Sequence, residues 1–193
     1  TLTIVGWREV PINTDILGEI AASNLPKIEQ IFIDAPPGWR NRDLERRLYM
    51  ARRRAENRIS SETQDDKFYI ASLSCLVTIY KGLMMPIDLP NFYLDLADIR
   101  MQSAICVFHQ RFSTNTFPTW ALAQPFRLLA HNGEINTIKG NRLWTHAREG
   151  LLKSDVFGED LEKILPVIEE GKSDSASFDN VLEFLHMTGR SLD

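Results

Sequence analysis

Apolar and polar positions along the first part of the chain follow the periods of short strands and a short helix. Residues 2–10 and 27–37 are rich in apolar and β-branched side chains, as strands are, and the second run closes at two prolines. Between these runs, cap-type residues at 13–15 and a brief apolar pattern that stops before Pro26 predict a short helix. The chain is therefore predicted to begin as strand, helix and strand.

Three later segments have the 3.6-residue spacing of amphipathic helices. The first covers 41–59, and its apolar stripe consists of Leu44, Leu48, Ala51 and Ala55. The second covers 135–152, and the apolar residues on or near one face are Ile138, Leu143, Trp144, Ala147 and Leu151. The third covers 175–189, with Ser177 as its predicted cap and Gly189 as its stop.

The other apolar segments predict further strands. Residues 66–82 have the β-branched and aromatic content of two adjacent strands, and 85–101 read as loop and a short helix. Residues 103–111 and 125–133 are each predicted as one strand. Because strands cluster in pairs instead of alternating strictly with helices, the pattern favours an α+β layered domain over a doubly wound parallel sheet.

Composition and charge narrow the class of protein. The 193 residues are 44% hydrophobic and 25% charged with a formal net charge of -4, which is ordinary for a globular domain with a core of its own. This net charge predicts no general attraction to nucleic acid or anionic membranes. The distribution of apolar and basic residues predicts neither a membrane-spanning segment nor a signal peptide. The arginine-rich stretch 40–58 is interpreted as the solvated side of its helix instead of a nucleic-acid patch, and the acidic stretch 155–170 is a candidate partner for it.

The positions of the cysteines and histidines in the sequence indicate neither a catalytic thiol nor a metal site. Cys75 and Cys106 lie in predicted strands, so both are expected to be inert core residues in a reducing, cytoplasmic compartment. None of the four histidines has another ligand type at metal-binding spacing, so no metal site is predicted. His109 and His131 precede candidate site residues, and packing or backbone hydrogen bonding is their expected role.

Candidate chemistry concentrates in residues 109–136. Arg111, at the end of a predicted strand, is a planar two-donor clamp for a carboxylate, and Thr114 adds a hydroxyl on the same turn. At the end of the next predicted strand, the Asn132 amide and the Gly133 backbone N–H are two donors that could serve an oxyanion hole. A plain Asn-Gly turn explains the dipeptide alone, and only the combination favours a ligand site.

These segments resemble a known family. The stretches "HQRFSTNTFPTWALAQPFRLLAHNGEINTIKGNRLW" and "GKSDSASFDNVLEFLHMTGRSL", together with "GWREVP" and "FYIASLSCLVTIYKGL", are similar to the glutaminase domain of glutamate synthases. That domain is a class II glutamine amidotransferase within the N-terminal-nucleophile hydrolases. The resemblance covers essentially all of residues 1–193 and implies part of a four-layer α/β/β/α sandwich, in a single domain.

The resemblance also implies roles for five residues. Arg111 matches the arginine that binds the α-carboxylate of glutamine, and Thr114 matches the residue that assists it. Asn132 and Gly133 match the oxyanion-hole donors, and Asp174 matches the acid that holds the α-ammonium group. An amino-acid substrate presents one anion and one cation, so one arginine and one aspartate suit it.

The family's nucleophile has no counterpart in this sequence. In the family it is a cysteine at the first position of the mature chain, with its own α-amine as base, whereas residue 1 here is threonine. The chain is therefore expected to be a fragment that lacks the N-terminal strands and is inactive alone. The parent would hydrolyse glutamine to glutamate and ammonia, and a second domain would use the ammonia to convert 2-oxoglutarate to glutamate. FMN and iron–sulfur clusters would belong to the remaining domains of that polypeptide and none to this chain.

Three other interpretations remain open at this stage. The chain could be a non-catalytic module that keeps the glutamine pocket, or the glutaminase domain of another class II amidotransferase. It could also use Thr1 as an N-terminal nucleophile, although the pattern around Thr1 predicts the interior of a strand.

Overall fold

The computed structural model describes residues 1–39, 41–63, 65, 67–112 and 116–192. Two strands and five α-helices occur in these residues: β1 (Thr3–Glu9), α1 (Glu19–Ser23), β2 (Glu29–Asp34), α2 (Asn41–Thr63), α3 (Leu89–Phe92), α4 (Ile138–Glu149) and α5 (Asp174–Met187). Short 3-10 turns separate several of them. Mixed helix and a small sheet confirm the general α+β class, while the four-layer sandwich stays a prediction.

The sheet is a two-stranded antiparallel ribbon of β1 and β2. Trp7 lies opposite Ile31, and Arg8 lies opposite Gln30. The Arg8 guanidinium donates from Nε to the Gln30 side-chain oxygen at 2.9 Å and also pairs with Asp95, which links the sheet to the later chain. Both strands were predicted correctly. The ribbon leaves four large apolar side chains uncovered: Ile4, Val5, Trp7 and Phe32.

One hydrophobic core lies between α2, α5 and the segment 157–167. Burying a large apolar side chain contributes about 1.5–3 kcal/mol, so this cluster holds the two longest helices, α2 and α5, together. Its buried members are Tyr49, Phe157, Leu161, Ile164, Val167, Phe184 and Met187.

Particular residues determine where α5 begins and ends. Ser173 is the N-cap, and its hydroxyl accepts a hydrogen bond from the Ala176 N–H at 3.1 Å. The predicted cap, Ser177, is wrong: it lies in the first turn, and its hydroxyl donates to the Ser173 carbonyl. Gly189 has φ of 104°, as a helix stop requires, so that prediction is confirmed.

Buried ion pairs join α2 to α5 beside this core. Arg52 is 1% exposed and binds both Glu56, at 2.8 Å, and Glu183. Arg53 is also buried and reaches Glu169 at 3.0 Å. Burial by itself would raise the pKa of Glu56, but the surrounding arginines outweigh it and lower that pKa.

These pairs correct one prediction and confirm another. The arginine-rich stretch is not simply a solvated helix face, because Arg52 and Arg53 lie in the interior. The acidic stretch does partner it, through Glu169 and through Asp160, whose carboxylate is 3.9 Å from Arg54. Charged groups are tolerated inside a protein only when they are paired and hydrogen-bonded, which a reading of helix periodicity cannot reveal.

A second core joins the ribbon to residues 80–97. Its buried members are Val10, Phe92, Tyr93 and Trp120. Gly82 approaches the Trp120 ring so closely that an added Cβ would lie 2.5 Å from a ring carbon, so the backbone requires glycine there. The predicted loop and short helix of this region are confirmed as α3 and its flanking turns.

The strands predicted in 67–82, 103–111 and 125–133 are wrong, because no ladder forms in these described residues. Strand-forming residues become a strand only where a partner backbone is available. In 67–82, side chains satisfy the backbone instead: the Ser74 hydroxyl oxygen accepts the N–H groups of Leu76 and Val77.

The burial predicted for the two cysteines is also wrong. Cys75 and Cys106 are exposed and not in the core. The helix predicted in 135–152 is confirmed as α4, but its apolar face is not covered, and Trp144 is 65% exposed. Across the described part of the chain, no helix combines the length and apolar character that crossing a bilayer requires.

Candidate functional site

The start of α5 places Asp174 in the interior. Asp174 is the first residue of the helix and is 5% exposed. The N–H of Ser175 donates to its Oδ1 at 2.7 Å, and the N–H of Ile135 donates to its Oδ2 at 3.1 Å. A carboxylate in the first turn is favoured by the helix dipole. The hydrogen bond from the Ile135 N–H brings the loop that contains Asn132 to the N-terminal end of α5.

His131 makes a second connection between this loop and α5. Its Nδ1 accepts the Gly133 backbone N–H at 2.9 Å. Its Nε2 lies 3.0 Å from the Ser175 hydroxyl oxygen, and that hydroxyl is 3.3 Å from Asp174 Oδ1. The expected role of His131, packing or backbone hydrogen bonding, is therefore confirmed, and the ring also reaches α5.

Gln124 holds the backbone of His131 on both sides. The His131 N–H donates to Gln124 Oε1 at 3.1 Å, and Gln124 Nε2 donates to the His131 carbonyl at 3.3 Å. Gln124 is 6% exposed, and the Phe178 ring meets the His131 ring edge to face at 6.4 Å. Neither Gln124 nor Ser175 is among the site residues predicted from the sequence. The one signal for Gln124 was an amide side chain among residues that are otherwise apolar.

Asn132 and Gly133, the two predicted oxyanion donors, differ in their present partners. Both residues are exposed. The Asn132 side chain makes no hydrogen bond with any described residue, so its amide is available to a ligand. The Gly133 N–H is bound by His131, and a Cβ on Gly133 would lie 3.1 Å from His131 Nδ1. An oxyanion would therefore have to share or take the Gly133 donor from His131.

Arg111 and Thr114 are not joined to the rest of the site. Arg111 is exposed, and its N–H donates to His109 Nδ1 at 3.0 Å. Within the described residues, its guanidinium has no hydrogen bond or ion pair. Thr114 lies outside the described residues. The structure thus brings Asn132, Gly133 and Asp174 together, but it shows no contact between them and Arg111.

A large cleft of about 1130 Å³ lies elsewhere, between α2, α5 and residues near 81 and 127. None of the four described site residues lines it. Burial and the nearby Arg127 lower the pKa of Lys81 to about 7, and burial raises the pKa of Asp179. Four of its charged groups, Arg53, Arg127, Glu56 and Glu169, are already paired with each other, and the described site residues lie elsewhere, so we place the candidate site at the start of α5 instead.

The cysteines supply no activated nucleophile at this site. The Cys75 thiol hydrogen-bonds the Asn41 carbonyl at 3.9 Å, at the start of α2. Partial desolvation of the sulfur, in a residue that is exposed as a whole, and a hydrogen bond with Glu45 raise the pKa of Cys75 to about 11, which disfavours the reactive thiolate. The described residues contain no group of three or more His, Cys, Asp and Glu that could hold a metal ion.

Comparisons with known proteins agree on one family. The family described as "Glutamine amidotransferases class-II" matches residues 1–193. The chain is 50% identical over 188 residues to the "Glutamate synthase [NADPH] large chain" of Azospirillum brasilense, covering 97% of this chain. It is 48% identical over 191 residues to "Ferredoxin-dependent glutamate synthase 2" of Synechocystis, and 43% identical over 193 residues to "Glutamate synthase [NADH]" of Saccharomyces cerevisiae.

These relatives are much longer proteins. The matched region is 12% of the length of the Azospirillum and Synechocystis proteins and 9% of the yeast protein. The chain therefore corresponds to one part of each relative.

Proposed function

The chain belongs to the class II glutamine amidotransferases, and from that premise we propose that it forms part of the glutaminase domain of a glutamate synthase. In this role, it binds glutamine and stabilises the transition state of amide hydrolysis. The larger protein hydrolyses glutamine to glutamate and ammonia and passes the ammonia to a synthase domain for glutamate biosynthesis from 2-oxoglutarate. The names of its similar relatives support this proposal.

Each predicted residue has a distinct role in the proposal. Asp174 binds the α-ammonium group of glutamine, while Arg111, assisted by Thr114, binds the α-carboxylate. The Asn132 amide donates to the oxygen that becomes negatively charged, and the Gly133 N–H joins it when His131 shares that donor. Donors aimed at a developing charge act mainly on the transition state, while clamps on permanent charges act mainly on binding.

One observation carries the assignment. The Ile135 N–H donates to the Asp174 carboxylate, so the segment "HNGEI" and the start of α5 meet in space although they are far apart in sequence. An oxyanion donor and an ammonium-binding carboxylate are needed at opposite ends of one glutamine molecule. Their proximity supports the proposal more strongly than either residue alone.

The nucleophile of the proposed reaction lies outside these 193 residues. Cys75 is disfavoured as a thiolate by its raised pKa, and Cys106 is exposed, with no hydrogen bond to the described residues of the site. We propose that a cysteine from another part of the polypeptide completes the centre. The same part would complete the four-layer α/β/β/α sandwich, of which this chain is then a partial domain.

The cofactors of the proposed parent do not fit this chain. A cluster bound by four cysteine thiolates needs more than the two cysteines present here. Iron–sulfur clusters and FMN are therefore assigned to the remaining domains, which are the proposed partners of this chain together with glutamine and glutamate. A cytoplasmic location is part of the same proposal.

Steady-state glutaminase kinetics of the full-length polypeptide test the proposal. Asn132→Ala should lower kcat about 100- to 1000-fold with little change in KM, the usual effect of removing an oxyanion donor. Arg111→Ala and Asp174→Ala should chiefly raise KM, with a smaller loss of kcat from misplaced substrate.

The matched control is Asn141→Ala, a change at an exposed position of α4. It should leave both constants unchanged. An Asn132→Ala enzyme with intact kcat and raised KM would make the segment "HNG" a turn and would refute its assignment as the oxyanion site.

A further inference from the structure

The hydrogen bonds around His131 define the tautomer of its ring. A backbone N–H can only donate, so His131 Nδ1 must present a lone pair to Gly133. The neutral ring then carries its hydrogen on Nε2. That hydrogen points at the Ser175 hydroxyl oxygen, which lies 3.0 Å away.

The direction of the next hydrogen bond follows. Because the Ser175 oxygen accepts from His131, its own O–H donates onward, and it lies 3.3 Å from Asp174 Oδ1. The Ser175 N–H donates to the same carboxylate oxygen at 2.7 Å. One continuous chain of hydrogen bonds thus runs from Gly133 through His131 and Ser175 to Asp174.

The surroundings of His131 are built to hold its ring in this orientation. Gln124 fixes the backbone with two hydrogen bonds, and the Phe178 ring lies at the side of the imidazole. The missing Cβ of Gly133 leaves the space that Nδ1 occupies, since such a carbon would be 3.1 Å from it. The ring is therefore held through its backbone, by the neighbouring Phe178 ring and at both nitrogens.

We propose that His131 is a positioning residue that sets the placement of the Asn132–Gly133 donors relative to Asp174. This inference rests on the proposed function, because it assigns those residues to the two ends of bound glutamine. The Nδ1 bond closes the turn that directs the Asn132 amide outward. The Nε2 bond orients Ser175 and, through it, the carboxylate that receives the α-ammonium group.

Two substitutions separate the two arms of His131. In His131→Asn, the side-chain oxygen can take the place of Nδ1 and accept from Gly133, but nothing replaces Nε2. In His131→Gln, the longer side chain can place its amide nitrogen near Nε2 and donate to Ser175, but it loses the bond to Gly133. Each variant keeps one arm and removes the other.

The test is glutaminase kinetics of the full-length polypeptide with these variants. His131→Gln should lower kcat about 3- to 10-fold at nearly constant KM, the factor expected for one hydrogen bond. His131→Asn should raise KM by a similar factor of about 3- to 10-fold and change kcat less. Ser175→Ala should behave like His131→Asn, and combining the two should add little, because both break the same arm.

The controls are His146→Asn and His146→Gln. This histidine is on the surface of α4, with its side chain 74% exposed and 3.1 Å from Glu149, and its variants should match the parent protein. If both His131 variants lowered kcat by the same factor and raised KM by the same factor, the role of His131 would be merely structural. A rise of kcat in His131→Gln would show that His131 competes with the oxyanion for the Gly133 donor. Either result overturns the inference.

The proposed function can fail separately from this inference. If Asn132→Ala leaves kcat intact, the oxyanion assignment itself is wrong. If Asn132→Ala lowers kcat while the two His131 variants give the same kinetic constants as each other, only the positioning role is wrong.

Discussion

The loop 124–135 and the segment 101–112 carry the two ends of the proposed glutamine site, yet they are held very differently. The loop is fastened by Gln124, by His131 and by the bond from Ile135 to Asp174. The segment 101–112 runs without secondary structure, and Phe108 is 84% exposed. Both segments were predicted as similar strands, so local pattern did not distinguish them.

The difference suits the chemistry that each region is proposed to perform. Donors for a developing charge work best when they are preorganised, because then no reorganisation is needed as the reaction proceeds. The loop 124–135 has this property within the described residues. Arg111, in contrast, has no contact there that would fix its guanidinium, so its placement depends on something beyond these contacts.

The largest expected effect comes from the buried ion pair between Arg52 of α2 and Glu183 of α5. Glu183→Gln removes one of the two carboxylates that pair with Arg52 in the interior and leaves only Glu56 to balance its charge. Breaking a buried pair costs about 3–5 kcal/mol. The opening free energy of α5, measured by hydrogen exchange of the full-length polypeptide, should fall by about this amount. Asp174, the first residue of α5, would then be held less firmly in its position.

The control for this change is Arg58→Ala, which breaks the exposed pair with Glu62 on the same α2 helix. An exposed pair of this kind contributes about 0.3–0.5 kcal/mol, so protection should barely change. If the two variants lost equal protection, burial would not be what holds α5, and the loop would not be anchored as described.

Gln124→Ala should produce the next largest effect. It leaves the half-buried N–H and C=O of His131 without their protein partners, which costs about 1 kcal/mol, the lower end of the range for a buried group. Exchange of the amides in 124–135 should accelerate accordingly. Gln110→Ala, at an exposed position of the other segment, should change stability by less than about 0.5 kcal/mol. Equal effects of the two changes would remove the contrast between the regions.

Lys81 provides a pH test of the segment that leads into the anchored loop, since its Nζ donates to the Ala121 carbonyl at 2.7 Å. Burial lowers the pKa of Lys81 from 10.5 to about 7, so above pH 7 the unfolded chain holds a proton that the folded chain has lost. Stability should therefore rise with pH, by about 1 kcal/mol between pH 7 and 8. Below pH 7 both states are protonated and this contribution is flat.

The pH dependence can be read from local opening free energies after correction for intrinsic exchange rates. Lys81→Met should abolish the rise, and Lys153→Met, at an exposed position, should keep it. A rise that persists in Lys81→Met would mean that another group titrates in this range and that Lys81 is not the buried amine responsible.

The smallest effect is expected in the exposed segment. Phe108→Ser should change stability by less than about 0.5 kcal/mol, as surface substitutions usually do. Phe184→Ala, in the core beside α5, should cost about 3–5 kcal/mol. Pulse proteolysis of the full-length polypeptide measures both. A loss above about 2 kcal/mol for Phe108→Ser would show that this segment is buried by another part of the protein.

Local signals were sufficient for much of the secondary structure. The helices α2, α4 and α5 and the strands β1 and β2 were all predicted, because helix periodicity, caps and strand-forming runs act between near neighbours. Asn132, Gly133 and Asp174 were identified from residue type and from the resemblance of their motifs. Their proposed roles remain predictions that the kinetics above can test.

Only the tertiary structure decided which groups lie inside and which runs pair as strands. Arg52 and Arg53 are buried because Glu183 and Glu169, far along the chain, supply the compensating charge. The runs 103–111 and 125–133 are not strands, because strand formation requires a partner backbone that no local pattern encodes. His131 and Ser175 meet for the same reason: their hydrogen bond joins distant segments, and only the folded chain brings those segments within bonding distance.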